Sequence, residues 1–561
     1  MKFNEFVYER PVFEDVQLQL TDLVSKIQTS ESLEAQLGLI KEINKIRSHV
    51  ETMSTLASIR HSIDTKDEFY DGENQYWDEY GPLYEEVKSG FYQALVSSKF
   101  RAGLEEALSP QFFKLAEYSL KAFSPEIIGD LQAENKLTSQ YEKLLASAQI
   151  EFQGEVYTLP GLGKFTVDKD RSVREAAAAK KYEFFAAHEA EIDGIYDELV
   201  KLRHGIAKKL GFNNFVELGY VRMDRTDYNP EMVANFRQQV LDDIVPVATE
   251  LYEAQRERLG LDHLRYFDAG FEYLDGNATP KGSPEWIVEN GIKMYNELSP
   301  ETKEFFDVMI EKDLLDLVNK PGKRGGGYCT YLPDYKVPFI FSNFNGTSGD
   351  IDVLTHEAGH AFQVYESRHI EVPELSFPTY ESCEIHSMSM EFFTWPWMEL
   401  FFKEETDKYK YSHLGGAIKF IPYGVTVDAF QHFVYENPEA TPAERKAAWR
   451  DLERKFLPHK DYTGNEFLEG GGWWFQQLHI FGMPFYYIDY TLAQICALQF
   501  WKRMHEDKHG AWTDYLRLCQ VGGTKSFVGL VEYANLKSPF EDGCVSSVIS
   551  EIAQWLRAHK P

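Results

Sequence analysis

The chain has 561 residues, 43% of them hydrophobic, with 58 Lys and Arg against 89 Asp and Glu, a formal net charge of −31. A chain of that length exceeds the size at which one core keeps growing, so at least two lobes are expected. The negative charge argues against nucleic acid or an anionic membrane as the main partner.

The first residues, Met1 to Phe6, lack the apolar core of a signal peptide. Five cysteines, at 329, 383, 496, 519 and 544, show no CxxC spacing and suit buried thiols in a reducing cytoplasm. Between residues 14 and 48, Leu20, Leu23, Val24 and Ile27, then Leu37, Ile40, Ile43 and Ile46, recur at helical steps. Prolines are sparse before 160, so the first lobe is expected to consist of long helices. Glu151 to Pro160 alternates around Gly154 and predicts a hairpin. The run Leu159-Pro160-Gly161-Leu162-Gly163 is the clearest break. It sets a division into an N-terminal helical lobe, 1–165, and a larger region, 166–561, that holds the motifs described next. Tyr, Thr, Val, Ile and Phe concentrate at 327–344 between turn residues, predicting a small sheet.

Directly after this sheet comes His356-Glu357-Ala358-Gly359-His360. Ile351, Leu354, Ala358, Ala361, Phe362 and Tyr365 supply an apolar helical side, and Asp350 or Ser348 is expected to accept from the first free N–H groups. On a helix His356 and His360 share one face, where two imidazoles can bind one Zn²⁺, and Glu357 lies close enough to act on a zinc-bound water. Gly359 costs roughly 1 kcal/mol of helix propensity, which fits a position where something approaches the backbone. Asp352, one turn before His356, is a candidate partner for a ligand imidazole.

A catalytic zinc usually takes a third protein ligand. The metzincin solution needs Gly at 363 and His at 366; the chain has Gln363 and Glu366. A carboxylate from a second helix is the other solution. Glu381, Glu384 and Glu391 share one helical face among Met388, Met390, Phe392, Phe393, Trp395 and Trp397, an interior setting in which carboxylates need a metal or a partner. Glu366, Glu371 and Glu374 sit near a loop with Pro373 and Pro378 and are poorer candidates. The face alone admits either Glu381 or Glu384.

Further along, Gly470-Gly471-Gly472 reads as a second mobile loop. His479, Tyr486 and Tyr490 would share a face if Pro484 leaves the helix intact. Ile480 to Trp501 is almost uncharged and mimics a membrane span, but Gly482, Pro484, Asp489, Gln494 and Gln499 favour a buried core helix.

H-E-A-G-H followed by Glu384-Ile385-His386-Ser387-Met388-Ser389-Met390-Glu391 resembles the thimet oligopeptidase and oligoendopeptidase F family, with its HExxH and later E-x-x-S-x-x-x-E. Gly325 to Cys329, Asn343 to Thr347 and His479 to Tyr490 are similar to the same family, and to its bacterial oligoendopeptidase F and Pz-peptidase branch most. The likeness covers roughly residues 200–550. It implies a mainly α, two-lobed zinc metallopeptidase of the HExxH-plus-Glu type, with a small β-sheet beside the active site and a deep central channel that admits oligopeptides. It selects Glu384 as third ligand to one Zn²⁺ and leaves Glu391 as a supporting carboxylate. His479, Tyr486 and Tyr490 become catalytic candidates through hydrogen bonds to a developing oxyanion. Gly326, Gly327, Tyr328 and Tyr487 become substrate-binding candidates, because an extended peptide can pair with a sheet edge that glycines leave open. Glu357 is the expected general base of an endopeptidase whose substrates are oligopeptides.

Overall fold

The computed structural model describes residues 1–320 and 322–561, the side chains of residues 78, 82 and 146 excepted. The first helices follow the periodicity of the sequence. α1 (Phe13–Thr29) buries Phe13, Val16, Leu20, Leu23 and Ile27, one apolar stripe. The chain turns at Ser30 to Ser32. The Ser32 side chain then accepts from the Ala35 N–H and starts α2 (Leu33–Ile63). α3 (Glu68–Val96) is capped by Asp67, which accepts from the Phe69 and Tyr70 N–H groups. Leu20, Ile27, Ile40, Ile43, Phe91 and Leu95 from these helices form one core cluster, joined by Val372 and Leu375 from far along the chain.

The chain packs as two compact units, neither continuous in sequence. One comprises Met1–Leu120, Thr279–Thr406 and Cys496–Lys537; the other comprises Lys121–Ala278, Asp407–Ile495 and Ser538–Pro561. This grouping by contact differs from a division along the sequence at 165/166, because α1 to α3 bury their stripe together with segments that carry the metal motif.

In the first unit, β1 (Leu315–Val318), β2 (Tyr328–Leu332) and β3 (Val337–Phe344) form a sheet in the order β1-β3-β2. β1 is parallel to β3. β2 is antiparallel to it, with Tyr328 opposite Phe341 and Leu332 opposite Val337. The central β3 is a nearly unbroken buried run, as a covered strand requires. β2 is an edge strand. Next come α4 (Gly349–Glu366) and α5 (Tyr380–Phe393). Asp350 does not cap α4, nor does the Ser348 side chain. Asp350 instead reaches back to accept from the Asn345 and Gly346 N–H groups, both at 2.8 Å, and closes the loop that leaves β3.

In the second unit the expected hairpin pairs Ile150–Phe152 with Glu155–Tyr157 through Gln153-Gly154, both at positive φ. α6 (Thr406–Glu436) carries Pro422 inside it. The glycine run 470–472 is not an open loop: a Cβ on Gly471 would overlap the Lys446 carbonyl and one on Gly472 the Phe467 ring. Space, rather than mobility, requires these glycines. The uncharged stretch after Ile480 breaks at Met483 to Tyr486 and resumes as α7 (Tyr487–Glu506). Among the described residues no helix is long and apolar enough to cross a membrane.

Candidate active site

α4 presents His356 and His360 four residues apart, their ring centroids separated by 5.1 Å. What brings a third ligand to them is the close packing of α5. A Cβ at Gly359 would stand 2.6 Å from the Ser387 Cα and 2.7 Å from the His386 carbonyl oxygen, so only glycine permits this approach. Glu384, one turn before Ser387, then places Oε2 3.2 Å from His356 Nε2 and 3.5 Å from His360 Nε2. The ligand atoms of the three residues all lie within 4.8 Å of one another. Ser387 Oγ donates to the same Glu384 oxygen at 2.9 Å and fixes its rotamer. Glu381 is buried too but does not belong to this converging group. Glu366, Glu371 and Glu374 are held by Gln520, Lys41 and Arg47.

His356 Nδ1 lies 2.7 Å from Glu391 Oε1, so Glu391 takes the supporting position for which Asp352 was also a candidate. With Nδ1–H donated there, the Nε2 lone pair faces Glu384 and is available to a cation. Two imidazole nitrogens and a carboxylate oxygen around one point are the donor set of a catalytic zinc with an open position. The charges agree. Burial pulls the His356 pKa down, but Glu384 and Glu391 more than offset this and hold it well above the ordinary value. Burial pushes Glu384 up, yet the two imidazoles hold it well below the usual carboxylate range. A divalent cation can take the place of the shared proton.

Glu357 is buried, which raises its pKa, with the adjacent imidazoles opposing. Gly327, just before β2, adjoins it: a Cβ there would lie 3.6 Å from Glu357 Oε1. Gly325, Gly326 and Gly327 are exposed. Asn343 Nδ2 donates to the carbonyls of Arg324 and Gly326 at 2.9 and 2.8 Å and shapes the loop, with Gly326 at φ +91°. Tyr328 stacks on Phe341 at 4.8 Å within the sheet.

The second unit gathers His479, Tyr486, Tyr487 and Tyr490, but not along one continuous helix. Pro484 does interrupt it, and the intervening Phe485 adopts φ +70°. The rings still converge, with His479 5.5 Å from Tyr486 and 5.2 Å from Tyr487, and Tyr486 4.8 Å from Tyr490. A clamp holds the strained turn. The Phe485 N–H donates to Gln431 Oε1 at 2.8 Å, and the Phe485 carbonyl accepts from Arg225. Arg225 also pairs with fully buried Asp489 at 2.8 Å, while Gly219 leaves room for the Phe485 ring. Gln477 Nε2 lies 2.8 Å from His479 Nδ1, and Gln477 Oε1 accepts from Tyr423 at 2.6 Å. An amide donating to Nδ1 leaves the His479 proton on Nε2. Sequence reading misses Asn343, Arg225, Gln431 and Gln477. Nothing in their local sequence singles them out: Arg225 lies in a charged run beside Asp224 and Asp227, and Gln477 follows Gln476.

Comparison with known proteins gives the family. A peptidase M3 N-terminal domain model matches residues 3–123, and a peptidase family M3 model matches residues 165–548. A solved structure of Pz-peptidase A with an inhibitor is 59% identical, with 99% of each chain covered and a TM-score of 0.95. A structure described as a putative oligoendopeptidase F from Bacillus anthracis is 57% identical, covering 100% of this chain and 98% of that one, with a TM-score of 0.90. A curated oligoendopeptidase F homologue from Borreliella burgdorferi is 25% identical over 416 residues, 70% of this chain and 69% of that protein.

Proposed function

As the chain belongs to peptidase family M3 and is a metallopeptidase, we propose that it is a zinc-dependent endopeptidase that cuts internal bonds of short, unstructured oligopeptides. The observation that carries this reading is the convergence of His356, His360 and Glu384 with Glu357 one residue from the first ligand. These three residues would hold one Zn²⁺ through His356 Nε2, His360 Nε2 and Glu384 Oε2. When bound, the ion supplies a Lewis acid that polarises the scissile carbonyl and acidifies water toward a pKa of ~7.

Everything else falls to the chain itself. Glu391 keeps His356 in the tautomer that offers Nε2. Glu357 takes a proton from the attacking water on a carboxylate oxygen and passes it to the departing amine. The edge of β2, opened by Gly326 and Gly327, offers backbone groups to an extended peptide without demanding particular side chains. A folded protein keeps its backbone paired and cannot make that addition. His479, as an Nε2–H donor, and the hydroxyls of Tyr486 and Tyr490 are suited to the oxyanion, and Tyr487 to substrate binding. Five free thiols and the acidic surface fit a cytoplasmic enzyme.

Incubation with a mixed peptide library, with and without chelator, tests the reading. Internal cleavage should disappear on chelation and return with Zn²⁺, and native folded proteins should survive. Chelator-resistant cleavage, or release of single terminal residues only, would overturn it.

A further inference from the structure

In the first unit, α2 and α3 enclose a cavity of about 430 Å³ over an apolar floor of Leu20, Ile43 and Phe91, all members of the N-terminal core cluster. That volume falls in the range of about 300–1,000 Å³ in which small-molecule sites lie. α2 turns Arg47, Glu51, Ser54 and Thr55 toward it, at steps of three and four on one helical face. α3 supplies Trp77, Gly81, Tyr84 and Lys88 at the same spacing, with the Trp77 and Tyr84 rings stacked 5.7 Å apart as one aromatic wall. Glu374, from the segment ahead of α5, completes the lining, and none of the metal-centre residues belongs to it.

Gly81 sits in mid-helix, where glycine costs about 1 kcal/mol, yet a Cβ there would meet no atom within 4 Å. Packing does not demand this glycine, and a longer side chain would enter the cavity. The charges of the lining select a ligand. Both cations are taken: Arg47 pairs with Glu374 and donates to Asn44, and Lys88 donates to Glu85 at 2.7 Å. The Tyr92 hydroxyl is spent on Glu374 as well. Glu51 is the one lining charge with no ion pair among the described residues. It reaches solvent, but the walls desolvate it and raise its pKa, and Arg47 and Lys88 offset only part of this. An anion would find no free cation here, whereas a cation would find a carboxylate beside aromatic faces.

We propose that this cavity binds a small organic ammonium, with Glu51 receiving the cationic head, Ser54 and Thr55 accepting from its remaining N–H groups, and an apolar body lying against Trp77 and Tyr84. The site goes beyond the peptidase reading and does not rest on it, since no metal ligand and no group assigned to the peptide lines the cavity. A ligand seated there bridges α2 and α3, so it should raise the melting temperature as well as give heat on mixing.

The probes are tryptamine, its neutral isostere tryptophol and the anion indole-3-propionate, each titrated calorimetrically into the zinc-loaded full chain. One tryptamine should bind per chain, at least about tenfold tighter than tryptophol, the lower end of what a charge-assisted contact contributes, and indole-3-propionate should be weakest. E51Q, at an exposed position, should bring tryptamine to the level of tryptophol while leaving tryptophol unchanged. G81L fills the cavity and should abolish binding of all three, with a melting temperature at or above that of the wild type because leucine is the better helix former. Repeating the titrations with chelator should change nothing, which separates this site from the metal centre and its fate from that of the peptidase reading. Absence of saturable tryptamine binding would overturn the proposal. So would equal binding of amine and alcohol, a preference that survives E51Q, or full affinity in G81L. Affinity that disappears on chelation would overturn it too, by placing the ligand at the metal centre.

Discussion

Gly359→Ala is the most informative single perturbation of the metal centre, because helix propensity and packing pull it in opposite directions. In an isolated helix the change would stabilise by about 1 kcal/mol. Here the new methyl would stand 2.6 Å from the Ser387 Cα and 2.7 Å from the His386 carbonyl, both backbone atoms of α5. Carbon atoms rest at about 3.5–4.0 Å, so α5 must retreat by roughly 1 Å. Overpacking of that kind costs about 1–3 kcal/mol, which leaves G359A neutral to about 2 kcal/mol less stable. The effect on metal is larger. Glu384 lies on the displaced segment, one turn before Ser387, and ligand distances tolerate only about ±0.2 Å. Zinc affinity should therefore fall by at least the ~10–100-fold that loss of a supporting partner causes. Competition with a chromogenic chelator measures it, and a melting curve on the same sample measures stability. G359A protein with wild-type zinc affinity would refute the claim that close packing at this glycine assembles the third ligand.

Three further outcomes follow from the same geometry. E391Q should keep the fold but lose about 10–100-fold in zinc affinity, because His356 Nδ1 loses its carboxylate; equilibrium dialysis with unchanged binding would remove Glu391 from the site. G327V places a branched side chain beside Glu357 and on the edge of β2, so kcat/KM should drop by more than about tenfold with zinc content unaltered, and full activity would show that substrate does not use this edge. R225M strips a fully buried pair of its cation and the Phe485 carbonyl of its donor, and urea titration should show about 3–5 kcal/mol of lost stability, partly recovered in R225K; a change below about 1 kcal/mol would mean that the clamp is dispensable.

The ligand motif was legible because it is local: a helical repeat of four residues puts two imidazoles on one face, and a glycine in mid-helix signals a close neighbour. The sequence left Glu381 and Glu384 open because both share a helical face with Glu391. Only the contact of α5 with α4 at Gly359 aims Glu384 at the imidazoles. The role of Asp350 is not legible in sequence, because a carboxylate near a helix start can serve either the helix or the loop before it, and the turn at Asn345 and Gly346 claims it. The tyrosine cluster hinged on whether Pro484 leaves the helix intact, which local sequence does not decide. A proline break and a positive φ at Phe485 replace the continuous helix, and the buried partners that tolerate this, Arg225 and Gln431, come from distant segments. The grouping of residues 1–120 with 279–406 was invisible for the same reason, since it depends on which apolar stripes meet, such as α1 and α2 with Val372 and Leu375.

The most direct measurement of the central claim is turnover by zinc-loaded E357Q protein with its metal content determined on the same sample. Gln preserves size and polarity and removes only the base. The arrangement of His356, His360 and Glu384 predicts one zinc per chain, retained in the variant, with kcat lowered by at least about 10²–10⁴-fold. Near-normal turnover with zinc in place would contradict the role of Glu357, and loss of the metal would contradict the ligand set that excludes it.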